Sequence, residues 1–285
     1  KRQLLNKKEI LKNLSNLNKE SLVDLTIFEV IGSTNDEARR KLDKEQNFED
    51  SFAIFAEQQD SGRGRDGKIW ESPANLNIYL SFAWNSSLKP IDLEGLSLGT
   101  AVAISQNLEP LLDEELKIKW PNDLFLSNKK VGGILVETFS SKKRTGIVVG
   151  VGLNVLMSNQ EQVSINQDWT SLSLYFGKDF DRNLIAGLLL ESLLSLRSNF
   201  EAKGFSFYKK DFERLNLLKN KECLVKFEGK TKKGFVDGIT EKGELIFKEN
   251  GESHYLRFGE VSLKNALGMD SSSDEQIFKK LRDLK

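Results

Sequence analysis

The sequence predicts an α+β protein: a larger unit of about 200 residues built from strands and helices, followed by a small β unit. Three observations carry that expectation. The chain has 285 residues, 39% hydrophobic, 29% charged and 9% aromatic, the composition of a folded chain rather than a disordered one. Up to about residue 217, runs with strand alternation are interleaved with segments of helical period. From Lys221 the texture changes to short strands separated by glycine turns. The expected division is 1–24 as an amino-terminal linker helix, 25–217 as the larger domain, 218–266 as the small domain and 267–285 as a tail.

Along the chain, residues 3–17 carry Leu4, Leu5, Ile10, Leu11, Leu14 and Leu17 among lysines and asparagines, a period that predicts one short amphipathic helix. Residues 25–31 alternate as a strand, and Gly32-Ser33-Thr34-Asn35 caps a helix whose body is 36–42. A strand feeding a polar turn and a helix amino terminus aims free backbone N–H groups at one point. Residues 52–57 read as a second strand, 77–84 as a buried strand, and 93–112 as a long helix rich in Ala, Leu and Ser. Next come a strand at 116–120, a turn at Pro121-Asn122-Asp123, a hairpin over 124–137 bending at Ser127-Asn128, and a strand at 147–156. A polar loop then leads to helices over 181–203 and 206–215. The last strands, at 223–228, 232–239, 244–248 and 253–258, suggest a small barrel of SH3 type. The tail from Asp270 is serine- and charge-rich, with a helical turn expected at 276–284.

Lys plus Arg and Asp plus Glu both number 42, so the net charge is zero and no global field favours nucleic acid or a membrane surface. Anion binding must therefore be local. One cysteine, Cys223, excludes an internal disulfide and a zinc cluster; one histidine, His254, excludes most histidine metal sites and reads as an ordinary strand-surface residue. No apolar run approaches the roughly 20 residues that cross a bilayer, and Lys1-Arg2-Gln3 opens no signal peptide, so a cytoplasmic location is expected. Because the chain does not begin with methionine, residues are expected to have preceded Lys1.

Four stretches carry chemistry. In Gly62 to Trp70 two arginines alternate with glycines, so backbone can approach a ligand while guanidinium groups offer bidentate contacts suited to a phosphate; taken alone, the stretch is equally a surface loop or an RGG-like segment. It is not a P-loop, since no Gly-Lys-Ser/Thr ends it. Lys119-Trp120-Pro121-Asn122-Asp123 ends a strand with a cation, an aromatic ring and oxygen-bearing side chains; Asn122 and Asp123 could help hold magnesium with substrate phosphates, or form a plain turn. Lys129-Lys130-Val131-Gly132-Gly133 brings a lysine into a sheet, costly unless it meets an anion. Gly150-Val151-Gly152-Leu153-Asn154 puts glycines inside a strand, marking either close approach of a ligand or simple packing.

With Ser33-Thr34-Asn35, these stretches resemble the biotin protein ligase family in order as well as content. The family pattern reads Ser-Thr-Asn, then Gln-x-x-Gly-Arg-Gly-Arg-x-Gly-x-x-Trp (Gln59 to Trp70), Lys-Trp-Pro-Asn-Asp (Lys119 to Asp123), Lys-hydrophobic-small-Gly-Ile-Leu-x-Glu (Lys130 to Glu137), and Gly-x-Gly-x-Asn (Gly150 to Asn154). The resemblance covers roughly residues 3–265. It implies a mixed-sheet catalytic domain of the class II aminoacyl-tRNA synthetase/biotin ligase type with a carboxy-terminal SH3-like barrel. It also implies a ligase that forms biotinyl-5'-AMP from the substrates biotin and ATP with Mg2+, then a C–N bond to a lysine of the biotin carboxyl carrier domain of acetyl-CoA carboxylase or a similar enzyme.

By the same resemblance Lys130, Arg63 and Arg65 are catalytic. Ser33, Thr34, Asn35, Gln59, Arg63, Gly64, Arg65, Lys130, Gly133 and Gly152 face biotin. Gly62, Arg65, Trp70, Lys119, Asn122, Asp123, Asn154 and Lys264 face ATP or the adenylate, with Asn122 and Asp123 as metal candidates. Asp66 stands where a basic residue is common and Lys264 where the family often has arginine, which bears on how the loop and the small domain hold nucleotide. The resemblance admits a homodimer through the catalytic sheet. A lipoate or octanoate ligase or transferase on the same fold is the nearest alternative, but is not expected to combine Gly-Arg-Gly-Arg with Lys-Trp-Pro-Asn-Asp. Some relatives are biotin-dependent repressors with a winged helix-turn-helix ahead of this region; residues 1–24 are too few for that module, so this chain as given is not expected to bind nucleic acid or a membrane.

Overall fold

Alternation of side chains along three central strands divides the larger unit into a hydrophobic core on one face of a sheet and a second face that is only partly covered. The computed structural model describes residues 3–22, 24–44, 51–141, 144–161, 163–165 and 167–263. The expected Lys264, the tail from residue 267 and the helical turn at 276–284 lie outside the described residues. The sheet contains β1 (Asp24–Ile31), β2 (Ser51–Gln59), β3 (Ile78–Ser86), β4 (Lys117–Lys119), β5 (Asp123–Leu126), β6 (Lys129–Ser141) and β7 (Arg144–Leu153) in the order β1-β2-β3-β7-β6-β5-β4. It is mixed: β1 and β2 are parallel, as the intervening helix α3 (Thr34–Lys44) requires, and every other pair is antiparallel.

On β3, Ile78, Leu80, Phe82 and Trp84 point into the main core; on β7, Ile147, Val149, Val151 and Leu153 do the same. There they meet α4 (Leu96–Leu112) and α6 (Arg182–Lys203), and each such side chain contributes roughly 1.5–3 kcal/mol by leaving water. The alternate residues face the other way, where Ala38 and Leu42 of α3 pack on Phe52, Ile54, Ala83 and Val148. Beyond α3, that face carries Tyr79 and Ser81 of β3, Gly150 and Gly152 of β7, and Gly133 and Leu135 of β6. These are in register as the rows Tyr79–Gly152–Gly133 and Ser81–Gly150–Leu135.

The single amphipathic helix expected over 3–17 is two helices, α1 (Lys7–Lys12) and α2 (Asn16–Ser21). Local capping explains the break: Asn6 accepts from Glu9 N–H, Ser15 accepts from Asn18 N–H, and Asn13 ends the first helix. Leu5, Ile10 and Leu14 are buried in the main core and α1 packs on α6, while Leu4 and Leu17 are exposed. The segment is therefore fixed to the core rather than strung between units. Its anchor is the buried pair of Glu57 and Arg182, 2.6 Å apart; Glu57 also accepts from Leu5 N–H, and Arg182 donates to the carbonyls of Gln3 and Asn77. The loop after β7 contains one helix that periodicity did not reveal, α5 (Leu172–Phe176), capped by Ser171. The helix α7 (Ser206–Leu215) completes the larger unit.

The carboxy-terminal strands β8 (Glu222–Phe227), β9 (Lys230–Ile239), β10 (Leu245–Glu249), β11 (Glu252–Leu256) and β12 (Glu260–Leu263) form one antiparallel sheet ordered β11-β10-β9-β8-β12. Leu217 N–H donates to Ile118 O, and the Trp120 indole donates to Gly243 O, so this sheet is fastened to the end of β4. Among the described residues no helix is long and apolar enough to cross a membrane.

Two consequences are measurable. Glu57→Gln leaves the Arg182 cation buried without its countercharge and should cost about 3–5 kcal/mol, seen as a lower urea midpoint with unchanged slope. Cys223 is buried and burial pushes its thiol up to about 11, so alkylation at pH 8 should be slow in the folded chain and fast in urea; equal rates would contradict the burial.

Candidate active site

A cavity of about 1010 Å³ opens over the two glycine-bearing rows of the sheet. One end is polar and internally wired. The turn from β1 to α3 brings Ser33, Thr34 and Asn35 there, all buried. Ser33 takes the cap position, its carbonyl accepting from Glu37 N–H, and the freed Thr34 N–H donates to Gln59 Oε1 at 2.9 Å. Thr34 Oγ1 reaches the same oxygen, and Gln59 Nε2 donates to Ser72 Oγ at 3.0 Å. Ser81 Oγ lies 2.8 Å from Thr34 Oγ1 and 2.5 Å from Asn35 Oδ1. Tyr79 donates to Pro73 O, and burial raises its phenol above the usual range, so it stays protonated.

The floor is glycine because neighbouring side chains occupy the space a Cβ would need. At Gly152 a Cβ would sit 2.4 Å from Cε2 of Trp70, and at Gly150 it would sit 2.3 Å from Oδ1 of Asn35. Packing, one of the two readings open from the sequence, is thus observed at both, against side chains of the protein itself. Trp70 lies across Gly133 and Gly152, its indole N–H buried without a hydrogen-bond partner among the described residues.

The opposite end is cationic. Lys130 Nζ stands 5.3 Å from the Trp70 ring centroid and 2.8 Å from Asp123 Oδ1, with both side chains largely buried. Arg65 approaches Asn122 Oδ1 at 3.5 Å, and Lys119 lines the wall beside Phe125. The glycine-rich loop is tied across its neck by Trp70 N–H to Gly62 O and Gly64 N–H to Lys68 O. Its tip reaches the small sheet, where Lys68 pairs with Glu260 and holds that carboxyl below the usual carboxylate range.

Of the expected residues, Ser33, Thr34, Asn35, Gln59, Arg63, Gly64, Arg65, Trp70, Lys119, Asn122, Asp123, Lys130, Gly133, Gly152 and Asn154 share this cavity. Gly62 sits in the neck of the loop, where a Cβ would meet Trp70 O at 2.4 Å, and not on the wall. Arg63 does not present a free charge: its guanidinium makes two bonds to Glu137, at 3.0 and 2.9 Å, and one to Asp36 at 2.6 Å, with Glu137 foremost in raising its pKa further. Asn154 is bonded to backbone, donating through Nδ2 to Thr170 O, and it holds the 167–170 segment against Lys130.

Asn122 and Asp123 do not fit the metal role expected of them. The Asp123 oxygen already faces the Lys130 ammonium, whose charge would repel a divalent ion, and the Asn122 oxygen faces the Arg65 guanidinium at 3.5 Å. Among the described residues no group of three or more His, Cys, Asp or Glu could hold a metal. Sequence reasoning missed Tyr79, Asp168, Trp169 and the wall supplied by β12, Glu260 to Leu263. No motif or periodicity marks these; their position depends on sheet register and on where the second sheet docks.

A cavity with a fixed polar end and a lysine-arginine end, floored by glycines on a mixed sheet, defines a class: a protein that holds a small acid by its polar head while cations meet its anionic end. Residues 27–154 match the model of the biotin/lipoate A/B protein ligase family. The chain is 34% identical over 265 residues to the bifunctional ligase/repressor BirA of Escherichia coli, spanning 93% of this chain and 79% of that protein. It is 36% identical over 148 residues to the biotin--[acetyl-CoA-carboxylase] ligase of Mycobacterium tuberculosis, spanning 50% and 53% of the two. Among solved structures, the biotin protein ligase from Aquifex aeolicus in complex with biotin and ATP is similar with a TM-score of 0.70 at 28% identity, over 85% of this chain and 99% of that one. This chain belongs to the biotin/lipoate A/B protein ligase family, and it is a ligase.

The floor can be tested without a ligand. Gly152→Ala should lift the Trp70 indole and shift tryptophan emission to the red, whereas the same change in a Trp70→Phe chain should leave the emission in place. A shift of equal size in both would mean that Trp70 is not the residue resting there.

Proposed function

We propose that this chain is a biotin protein ligase that activates biotin with ATP and transfers it to a specific lysine of a carboxylase's biotin carboxyl carrier domain. The observation that carries the reading is a single cavity in which the wired polar end and Lys130 stand at opposite ends of a glycine floor. The polar groups of Thr34, Asn35 and Gln59 suit the ureido head of biotin, the floor its apolar rings and chain, and the cationic end its carboxylate beside the α-phosphate of ATP. The reading assigns the reaction to the cytoplasm, where ATP is supplied.

In the first step a biotin carboxylate oxygen attacks the α-phosphorus and pyrophosphate leaves. Lys130 offsets the charge gathering on the phosphoryl oxygens, its ammonium passing from Asp123 to the substrate, with Arg65 beside it. In the second step the neutral amine of the carrier lysine attacks the acyl carbon of the mixed anhydride. The C–N bond forms, the C–O bond to phosphate breaks, AMP leaves, and the nitrogen releases its proton. Arg65 on the glycine-rich loop covers the anhydride and, with Trp70 lying on the floor beneath it, keeps water from it. No protein nucleophile takes part, in keeping with a single cysteine that is buried.

The test is transfer of labelled biotin, in the presence of MgATP, to a biotin carboxyl carrier domain. The chain should label the domain, unlabelled biotin should compete and lipoate should not, and Lys130→Ala should lower the rate by about 100-fold or more. Equal labelling by Lys130→Ala, or competition by lipoate alone, would overturn the assignment.

A further inference from the structure

Glu137 closes one of the sequence patterns, yet it lies outside the cavity wall. It stands on β6 on the same face as Gly133 and Leu135, behind the polar end, and its two oxygens serve two tasks. Oε1 and Oε2 accept from Arg63 Nη1 and Nη2 at 3.0 and 2.9 Å, and Oε2 also accepts from Asn35 Nδ2 at 2.8 Å. A carboxylate only accepts, so the edge of the Asn35 amide that faces it must be the NH2. That orientation turns Asn35 Oδ1 toward Ser81, whose hydroxyl lies between Asn35 and Thr34, and Thr34 in turn contacts Gln59. The carboxylate, with the Leu135 carbonyl that accepts from the same Asn35 Nδ2 at 3.3 Å, thus sets which groups donate and which accept at Asn35 and Ser81, while the backbone N–H of Thr34 orients Gln59. The bidentate grip on Arg63 meanwhile fastens the glycine-rich loop to the sheet across 74 residues of chain.

Resting on the proposed function, we infer that Glu137 is a positioning residue for this ligase: it fixes the hydrogen-bond polarity of the biotin head's site through Asn35, and anchors the covering loop through Arg63. An amide in its place has nearly the same shape but weakens both constraints. It leaves one acceptor oxygen where two served Arg63 and Asn35, removes a countercharge so that Arg63 pairs only with Asp36, whose side chain is 61% exposed, and leaves the Asn35 amide held chiefly by the Leu135 carbonyl at 3.3 Å.

The experiment uses the full chain, the biotin transfer assay and limited trypsin cleavage after Arg63 and Arg65 without ligands. Glu137→Gln should raise KM for biotin about tenfold and KM for ATP by less, since the loosened loop also carries Arg65. Ser81→Ala should raise the biotin KM as well, and the double variant should be no worse than Glu137→Gln, because both interrupt one relay. Loop cleavage in Glu137→Gln should speed up about tenfold with the thermal midpoint held within a few degrees. A wild-type biotin KM in Glu137→Gln, fully additive effects with Ser81→Ala, or unchanged loop cleavage would overturn the inference. If the wild-type chain itself transfers no biotin, the proposed function fails instead; the cleavage comparison then still decides whether Glu137 anchors the loop.

Discussion

The period of two along the middle strands is the constraint on which the rest of the molecule depends. On β7 the residues Ile147, Val149, Val151 and Leu153 enter the core, which obliges Val148, Gly150 and Gly152 to face the other way. A slip of one residue would bury the glycines and expose the valines, so the free energy of the core enforces the composition of the cavity floor. Pairing with β3 and β6 then aligns Gly152 with Tyr79 and Gly133, and Gly150 with Ser81 and Leu135. A concave, glycine-lined surface follows from hydrophobic register, before any ligand is considered.

Electrostatics on that face follow from the balance of the whole chain. With 42 basic and 42 acidic residues, cations near the cavity can be held by carboxylates: Lys130 by Asp123, Arg63 by Glu137 and Asp36, Lys68 by Glu260. These pairs differ in kind. Lys130 and Asp123 are 14% and 20% exposed, so exchange of the carboxylate for another anion is felt at low dielectric, whereas an open pair such as Lys12 with Glu9 contributes well under about 1 kcal/mol. A lysine with a carboxylate at hand can be kept desolvated and charged until substrate arrives, which the proposed adenylation requires.

The small carboxy-terminal sheet takes part in the same surface. The Trp120 indole, reaching Gly243, and the backbone link from Leu217 to Ile118 seat it beside β4, which carries β12 to the cavity rim and Glu260 to Lys68. The glycine-rich loop is therefore held by two sheets, through Arg63 on one side and Lys68 on the other. Its glycines supply the close backbone approach that such a strap needs, with Asp66 and Gly67 in the left-handed region at its tip.

Much of this was written in the sequence. Strand and helix periods located most elements but not the short helix at Leu172–Phe176, the strand at Glu260–Leu263 or the break between α1 and α2, and the ordered patterns from Ser33 to Asn154 named the glycine floor and both ends of the cavity but not the wall formed by Tyr79, Asp168, Trp169 and β12. Periodicity failed at residues 3–17 because Ser15 and Asn13 interrupt a helix that the leucine spacing would continue; hydrogen bonds at caps outweigh a hydrophobic stripe over so few turns. Composition, net charge and local pattern thus determine which side chains are offered and on which face of an element they stand. Only tertiary structure decides their partners: Arg63 meets Glu137 across 74 residues, Lys68 meets Glu260 across 192, and the magnesium role read for Asp123 gives way to its pairing with Lys130. Those contacts depend on strand order and on the seat of the second sheet, and both are settled by the packing of the whole chain rather than by any local window of sequence.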